Sequence, residues 1–208
     1  MKVLKFGGTS VADSRSIDKV ISILKSNDEP LFIVVSALSG ITNLLQKCLN
    51  KNGESASDII TEIEQRHLQV ITDMCDYNNQ TSLKKFLRDN LNELDDLLNL
   101  ISETGEVSNE KKSKVLTLGE ILSSNIIYEI LRQKGLDISH IDSRELIFTK
   151  DSNTNIQLDD EKTSDSIDKI VGSIKSKLII SPGYICSNQE GKTSNLGRGG
   201  SDYSAAIY

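Results

Sequence analysis

The sequence predicts an α/β fold in which helices cover a mainly parallel sheet, with a helical insertion over about residues 51–134. Three features point there. The runs Val3–Phe6, Leu31–Val35 and Leu178–Ser181 are apolar without strong alternation, as in strands buried on both faces. An amphipathic helix separates the first two runs, giving the strand-helix-strand order of parallel crossover units. Between Ile59 and Ile101, apolar residues recur mostly at intervals of three and four, which marks long helices outside that rhythm.

In chain order, Val3–Phe6 closes at Gly7-Gly8, and Asp13 is placed to cap a helix whose Ile17, Val20, Ile21 and Leu24 share one face. Leu31–Val35 breaks at Ser36–Gly40, after which Leu44, Leu45, Cys48 and Leu49 mark a second helix. From Ser55 to Leu131 the pattern is almost wholly helical. Ile59, Ile63, Val70 and Met74 form one stripe, and Leu83, Leu87, Leu91, Leu94, Leu98 and Ile101 another, which suits a helical hairpin packed on itself. Gly105–Lys114 is expected to be a loop, and Val115–Arg132 a helix closed by Lys134-Gly135. Strands are expected at Ile138–Ile141 and Leu146–Thr149, and Lys150–Ser166 as mostly loop. Ile167, Ile170, Val171 and Ile174 mark a helix, and Tyr184–Ser187 with Lys192–Leu196 a hairpin that leads into G-R-G-G-S-D.

A chain of 208 residues suffices for one large domain or two small ones and buries roughly 70% of its unfolded surface. The formal charge of -6 is not offset by any concentration of Lys and Arg, which argues against a nucleic-acid partner. Cys48, Cys75 and Cys186 show neither disulfide nor zinc spacing, and His67 and His140 fall in no ligand pattern, so no metal site is expected. No stretch of about 18 apolar residues is available to span a membrane, and the composition is that of a cytoplasmic protein.

Lys5-Phe-Gly-Gly-Thr-Ser puts a lysine at a strand end, two glycines in the turn and two hydroxyls after it. Main-chain N–H groups freed by glycine can converge on a phosphate while the lysine adds a point charge; the plainer alternative is a turn that needs positive φ. Gly191-Lys192-Thr193 mimics the end of a Walker A motif, but the earlier glycine it requires falls on Cys186. Arg198, among glycines, offers a planar fork for a carboxylate or phosphate. Ser201 and Asp202 are placed to cap a following helix, a role compatible with orienting a lysine. Glu120 lies in an otherwise apolar helix, either salt-bridged or exposed at an edge, or anchoring a ligand ammonium.

Four motifs, K-F-G-G-T-S-V (5–11), V-V-S-A-L-S-G-I-T-N (34–43), L-G-E (118–120) and L-G-R-G-G-S-D-Y-S-A-A (196–206), resemble those of the aspartate kinases of the amino acid kinase family, in the same order. The resemblance implies a three-layer αβα sandwich and transfer of the γ-phosphoryl group of ATP, with Mg2+, to the side-chain carboxylate of L-aspartate. It further implies that Lys5 neutralises charge on the moving phosphoryl group, that Gly7 and Gly8 cradle it, and that Thr9 and Ser36 line the same space. Thr42 and Glu120 then hold the substrate, Glu120 through its ammonium, while Arg198 takes the α-carboxylate. Ser201 touches aspartate or phosphate, and Asp202 organises the catalytic lysines.

The W-T-D-V and K-V-L-H-P segments that complete the family's nucleotide site are absent from residues 1–208, as are regulatory domains and the homoserine dehydrogenase module. With Ile207-Tyr208 inside an expected helix, the sequence reads as the N-terminal, aspartate-binding portion of a mono- or bifunctional parent, without a complete ATP site. The full-length parent is expected to be a homo-oligomer. The rival readings are a catalytically silent module that binds aspartate or a partner chain, and another amino acid kinase.

Overall fold

A computed structural model describes residues 1–50, 55–150 and 156–208. Strand β1 (Lys2–Phe6) leads through a 3-10 turn at Gly8–Val11 into helix α1 (Ser14–Lys25), and β2 (Leu31–Val35) into α2 (Ile41–Leu49). The helical segment follows as α3 (Ala56–Met74), α4 (Tyr77–Thr104) and α5 (Asn109–Gln133). Then come β3 (Ile138–His140), β4 (Thr149–Lys150), β5 (Gln157–Leu158), α6 (Asp160–Ser173), β6 (Leu178–Pro182), β7 (Ile185–Ser187), β8 (Thr193–Asn195) and α7 (Gly200–Ile207).

The main sheet has the order β1-β2-β6-β3 with every pair parallel. All five residues of β2 are buried, and they alternate between two separate cores. Leu31, Ile33 and Val35 pack with the inner faces of α1, α2 and the α3–α5 segment, whereas Phe32 and Val34 meet Ile147, Ile179 and Cys186, with α6 and α7 against them. A strand that must bury both faces carries no polar alternation, so the same five letters that predicted a strand also dictate three layers.

The expected caps and stripes form. Asp13 Oδ1 accepts the Ser16 N–H at 2.8 Å, and Ile17, Val20, Ile21 and Leu24 of α1 are buried. The two stripes of α3 and α4 are buried, all but Ile101 in the same core as the sheet face. The opening residues of the expected insertion, 51–54, lie outside the described residues.

Three boundaries differ from expectation, and each has a local cause. Helix α5 starts at Asn109, inside the expected loop Gly105–Lys114, because Ser108 Oγ accepts the Lys111 N–H at 3.2 Å and Glu110 pairs with Lys114 at 2.9 Å one turn on. Leu146–Phe148 is not a strand. Leu146 and Ile147 are buried, but a 3-10 turn at Ser143–Glu145 precedes them, and Phe148 makes only an isolated bridge to Ser187. Burial alone can therefore produce an apolar run without a ladder. Lys150–Ser166 is not mostly loop, since α6 already begins at Asp160. Asp159 caps it and the acidic Asp160 and Glu161 occupy its first turn, where the helix dipole favours them; residues 151–155 lie outside the described residues.

Candidate active site

In open parallel sheets, ligands bind beyond the carboxyl ends of the strands, and here three strand ends are in register. Phe6 stands opposite Val35, and Val35 opposite Pro182. The pairing extends one step further, with Ser36 N–H donating to Phe6 O at 3.1 Å and Gly183 N–H to Val35 O at 2.8 Å. Chain segments distant in sequence thus leave the sheet side by side, around a cavity of about 710 Å³.

Lys5, Ser36, Thr42, Glu120, Arg198, Ser201 and Asp202 all line this cavity. Lys5 and Arg198 therefore open onto the same space. Lys112 and Lys150 add positive charge against Glu110 and Asp202, so local cations offset the protein's formal charge of -6 at this point. Gly7, Gly8 and Thr9 are not among the lining residues. Gly7 nevertheless lies beside the lysine, because a Cβ there would come 3.5 Å from Lys5 Nζ. Gly8 serves packing: its φ is not positive, and a Cβ would stand 2.9 Å from the Ala37 carbonyl. His67 is buried with Nδ1 at 2.8 Å from the Ile63 carbonyl, and His140 meets Ser124 Oγ at 3.1 Å; neither lines the cavity.

Lys5 Nζ lies 2.7 Å from Asp202 Oδ1. The expected capping by Ser201 and Asp202 does not occur. Gly199, at φ 75°, takes the N-cap position of α7, and no side chain caps it. Asp202 falls in the first turn, where its carboxylate suits the dipole and turns toward the lysine.

Glu120 is 4% exposed, and its Oε2 has no hydrogen-bond partner among the described residues. Burial pushes its carboxyl up to about 8, opposed by a backbone hydrogen bond from Ala37. An unpartnered carboxylate in a low-dielectric wall is costly. A cation entering the cavity would remove that cost; Glu120 is too buried to lie at an exposed edge, and it makes no salt bridge among the described residues. The neighbouring glycine makes the arrangement possible. A Cβ on Gly119 would lie 2.7 Å from Ala37 Cβ and 3.1 Å from Ile41 Cγ2, so glycine lets α5 press against the Ser36–Gly40 loop. Gly119→Ala is expected to destabilise the fold by about 1–3 kcal/mol through overpacking, read from thermal melts against the parent chain.

Tyr184 was not anticipated as a site residue. Among the described residues it is the single non-glycine at positive φ, 70°, a conformation that is unusual for a bulky side chain and clusters at functional sites. Its N–H donates to Ser204 Oγ at 3.0 Å and its carbonyl accepts the Leu196 N–H at 2.8 Å, which holds the ring at the cavity wall. Burial first, and the charge of Glu120 second, push its phenol up to about 12. The sequence signal was the Pro182-Gly183 turn at a strand's carboxyl end, where lining residues concentrate.

The model of the amino acid kinase family matches residues 1–208. A bifunctional aspartokinase/homoserine dehydrogenase 1, chloroplastic, of Arabidopsis thaliana is 29% identical over 99% of this chain, which covers 23% of that protein. An aspartokinase of Chlamydia pneumoniae is 29% identical over 99% of the chain, covering 43% of the relative. Aspartokinase III of E. coli, solved in complex with aspartate and ADP, superposes with a TM-score of 0.87 at 26% identity, over 100% of this chain and 46% of that one. The chain thus spans less than half the length of these relatives.

Proposed function

Since the chain belongs to the amino acid kinase family, we propose that it is the aspartate-binding portion of an aspartate kinase. The observation that carries this reading is the buried, unpartnered Glu120 oxygen in the same cavity as Arg198 and Lys5. An α-amino acid presents an ammonium and a carboxylate on one carbon. Glu120 answers the first, and Arg198, exposed and without an ion pair among the described residues, answers the second bidentately. The side-chain carboxylate then points toward Lys5 and Ser36.

The proposed reaction joins that carboxylate to the γ-phosphorus of ATP. One side-chain oxygen forms the new P–O bond, the bond between the γ-phosphorus and the bridging oxygen breaks, and ADP leaves with 4-phospho-L-aspartate as product. No general base is needed, because an aspartate side chain with an ordinary pKa near 3.9 is already ionised. Catalysis reduces to alignment and charge neutralisation. Lys5 supplies the charge, Asp202 holds its ammonium in place, and Ser36, with Gly7 beside the lysine, would border the phosphate. Thr42 and Ser201 would complete the aspartate contacts.

ATP would arrive with Mg2+, which supplies further neutralisation on the phosphoryl oxygens. Mg2+ typically takes only one or two protein carboxylates beside substrate phosphates, and Asp202, its side chain 74% exposed beside Lys5, is placed to provide one. No helix among the described residues is long and apolar enough to cross a membrane; a cytoplasmic location is part of the same proposal. Assembly as a homo-oligomer belongs to the same proposal.

A coupled ADP-release assay on the full-length protein with L-aspartate, L-glutamate and N-acetyl-L-glutamate tests the activity. Turnover with aspartate is expected, and turnover with another acceptor alone would overturn it. Calorimetric binding of aspartate without any turnover would instead establish the silent binding module.

A further inference from the structure

We infer that Asn195 and Ser113 are positioning residues that set the spacing between the two groups gripping the substrate's α-carbon, an inference that rests on the aspartate-kinase reading. Arg198 stands between Gly197 and Gly199, both at positive φ, 73° and 75°. Glycine permits that turn but does not hold it.

Asn195, the last residue of β8, does hold it. Its Oδ1 accepts the Gly197 N–H at 3.0 Å and its Nδ2 donates to Ser113 Oγ at 2.9 Å. These partners fix the amide's orientation, because a main-chain N–H can only donate and must face the oxygen. Ser113 is 6% exposed, in the second turn of α5. Glu120 follows on the same helix. Seven residues make about two turns, so the two side chains share one face about 10.5 Å apart along the axis.

One rigid helix therefore carries the ammonium ligand directly and anchors, through a single amide, the turn that carries the carboxylate ligand. A second tie joins the same hairpin to the same helix, Lys192 to Glu110 at 3.3 Å, but both partners are substantially exposed, 48% and 31%. Such a pair contributes little, which leaves the half-buried amide as the hydrogen-bonded tie between this turn and α5. With the anchor cut, Arg198 samples positions in which it and Glu120 no longer meet one α-carbon.

The test uses the full-length protein, with L-aspartate as ligand and its α-amide as competitive inhibitor. Ser113→Ala is expected to weaken L-aspartate about tenfold, the scale of one lost hydrogen bond, and Asn195→Ala, which also frees the Gly197 N–H, at least as much. The double variant should lose no more than Asn195→Ala alone, because that change already removes the bond to Ser113. The α-amide offers Arg198 no carboxylate, so its weaker inhibition should be unchanged in all three variants, and the KM for ATP should stay at the parent value. Unchanged aspartate affinity, additive losses in the double variant, or equal loss of aspartate and its amide would overturn the inference. So would a failure of both single variants to fold, since the bond would then be structural. A parent protein that binds no aspartate would overturn the functional reading instead.

Discussion

Glu120→Gln is expected to weaken L-aspartate binding by about two to three orders of magnitude, the cost of removing one partner from a shielded charge pair. Glutamine keeps the shape and the hydrogen bond from Ala37 but offers no charge to an ammonium. Calorimetry with the variant and its parent reads the loss directly, and an affinity within a few-fold of the parent would remove Glu120 from the site.

The same substitution should stabilise the ligand-free protein in a pH-dependent way. Glu120 ionises near 4.5 in the unfolded chain and near 8 in the fold. Between those values the folded protein retains a proton that the unfolded chain has lost. The stability associated with this group is thus complete below pH 4.5, falls as pH rises, and is gone above about 8. Glutamine does not titrate. The variant should therefore melt above its parent at pH 8 and converge with it toward pH 4.5, with a gap on the order of a few kcal/mol at the alkaline end. Binding couples to the same proton. An ammonium favours ionised Glu120, so aspartate binding between pH 4.5 and 8 should release up to one proton, seen as binding heats that differ between buffers of unequal ionisation enthalpy.

The second large effect is on turnover. Lys5→Ala should lower kcat about 10²–10³-fold, the usual cost of removing one group aimed at charge that develops in the transition state. Aspartate affinity should stay near the parent value, because Lys5 faces the phosphate side of the cavity and not the α-carbon. Stability should change by less than about 1 kcal/mol, since Asp202, its partner at 2.7 Å, is 74% exposed and screened by water. A large fall in melting temperature, or an equal fall in aspartate affinity, would assign the lysine a structural or substrate-binding role instead. The split between kcat and binding separates it from Glu120, which should act almost wholly through binding.

The proposed roles rest on residues that the sequence already singles out. Lys5 at a strand end, Arg198 among glycines and Glu120 in an apolar helix are residue types whose placement is unusual enough to mark chemistry. Capping by Ser201 and Asp202 was misjudged because sequence cannot show which of several adjacent residues takes the N-cap. Two glycines at 199 and 200 moved the helix start ahead of both side chains. The apolar Leu146–Phe148 was misjudged for a related reason, since burial and ladder formation draw on the same residues. Tyr184 and Asn195 escaped notice because nothing in their letters distinguishes a strained turn or an amide bridge from ordinary hairpin residues.

By itself the sequence determined the parallel sheet and the helical hairpin and picked out seven residues that line one cavity, because periodicity and capping act over a few residues and are written locally. Only the tertiary structure decided that one Glu120 oxygen lacks a hydrogen-bond partner among the described residues, that Asp202 reaches Lys5, and that Asn195 ties the Arg198 turn to α5. Those facts depend on which segments the register of the sheet brings side by side, and on how much water each position excludes. Both are properties of contacts between residues far apart in the chain.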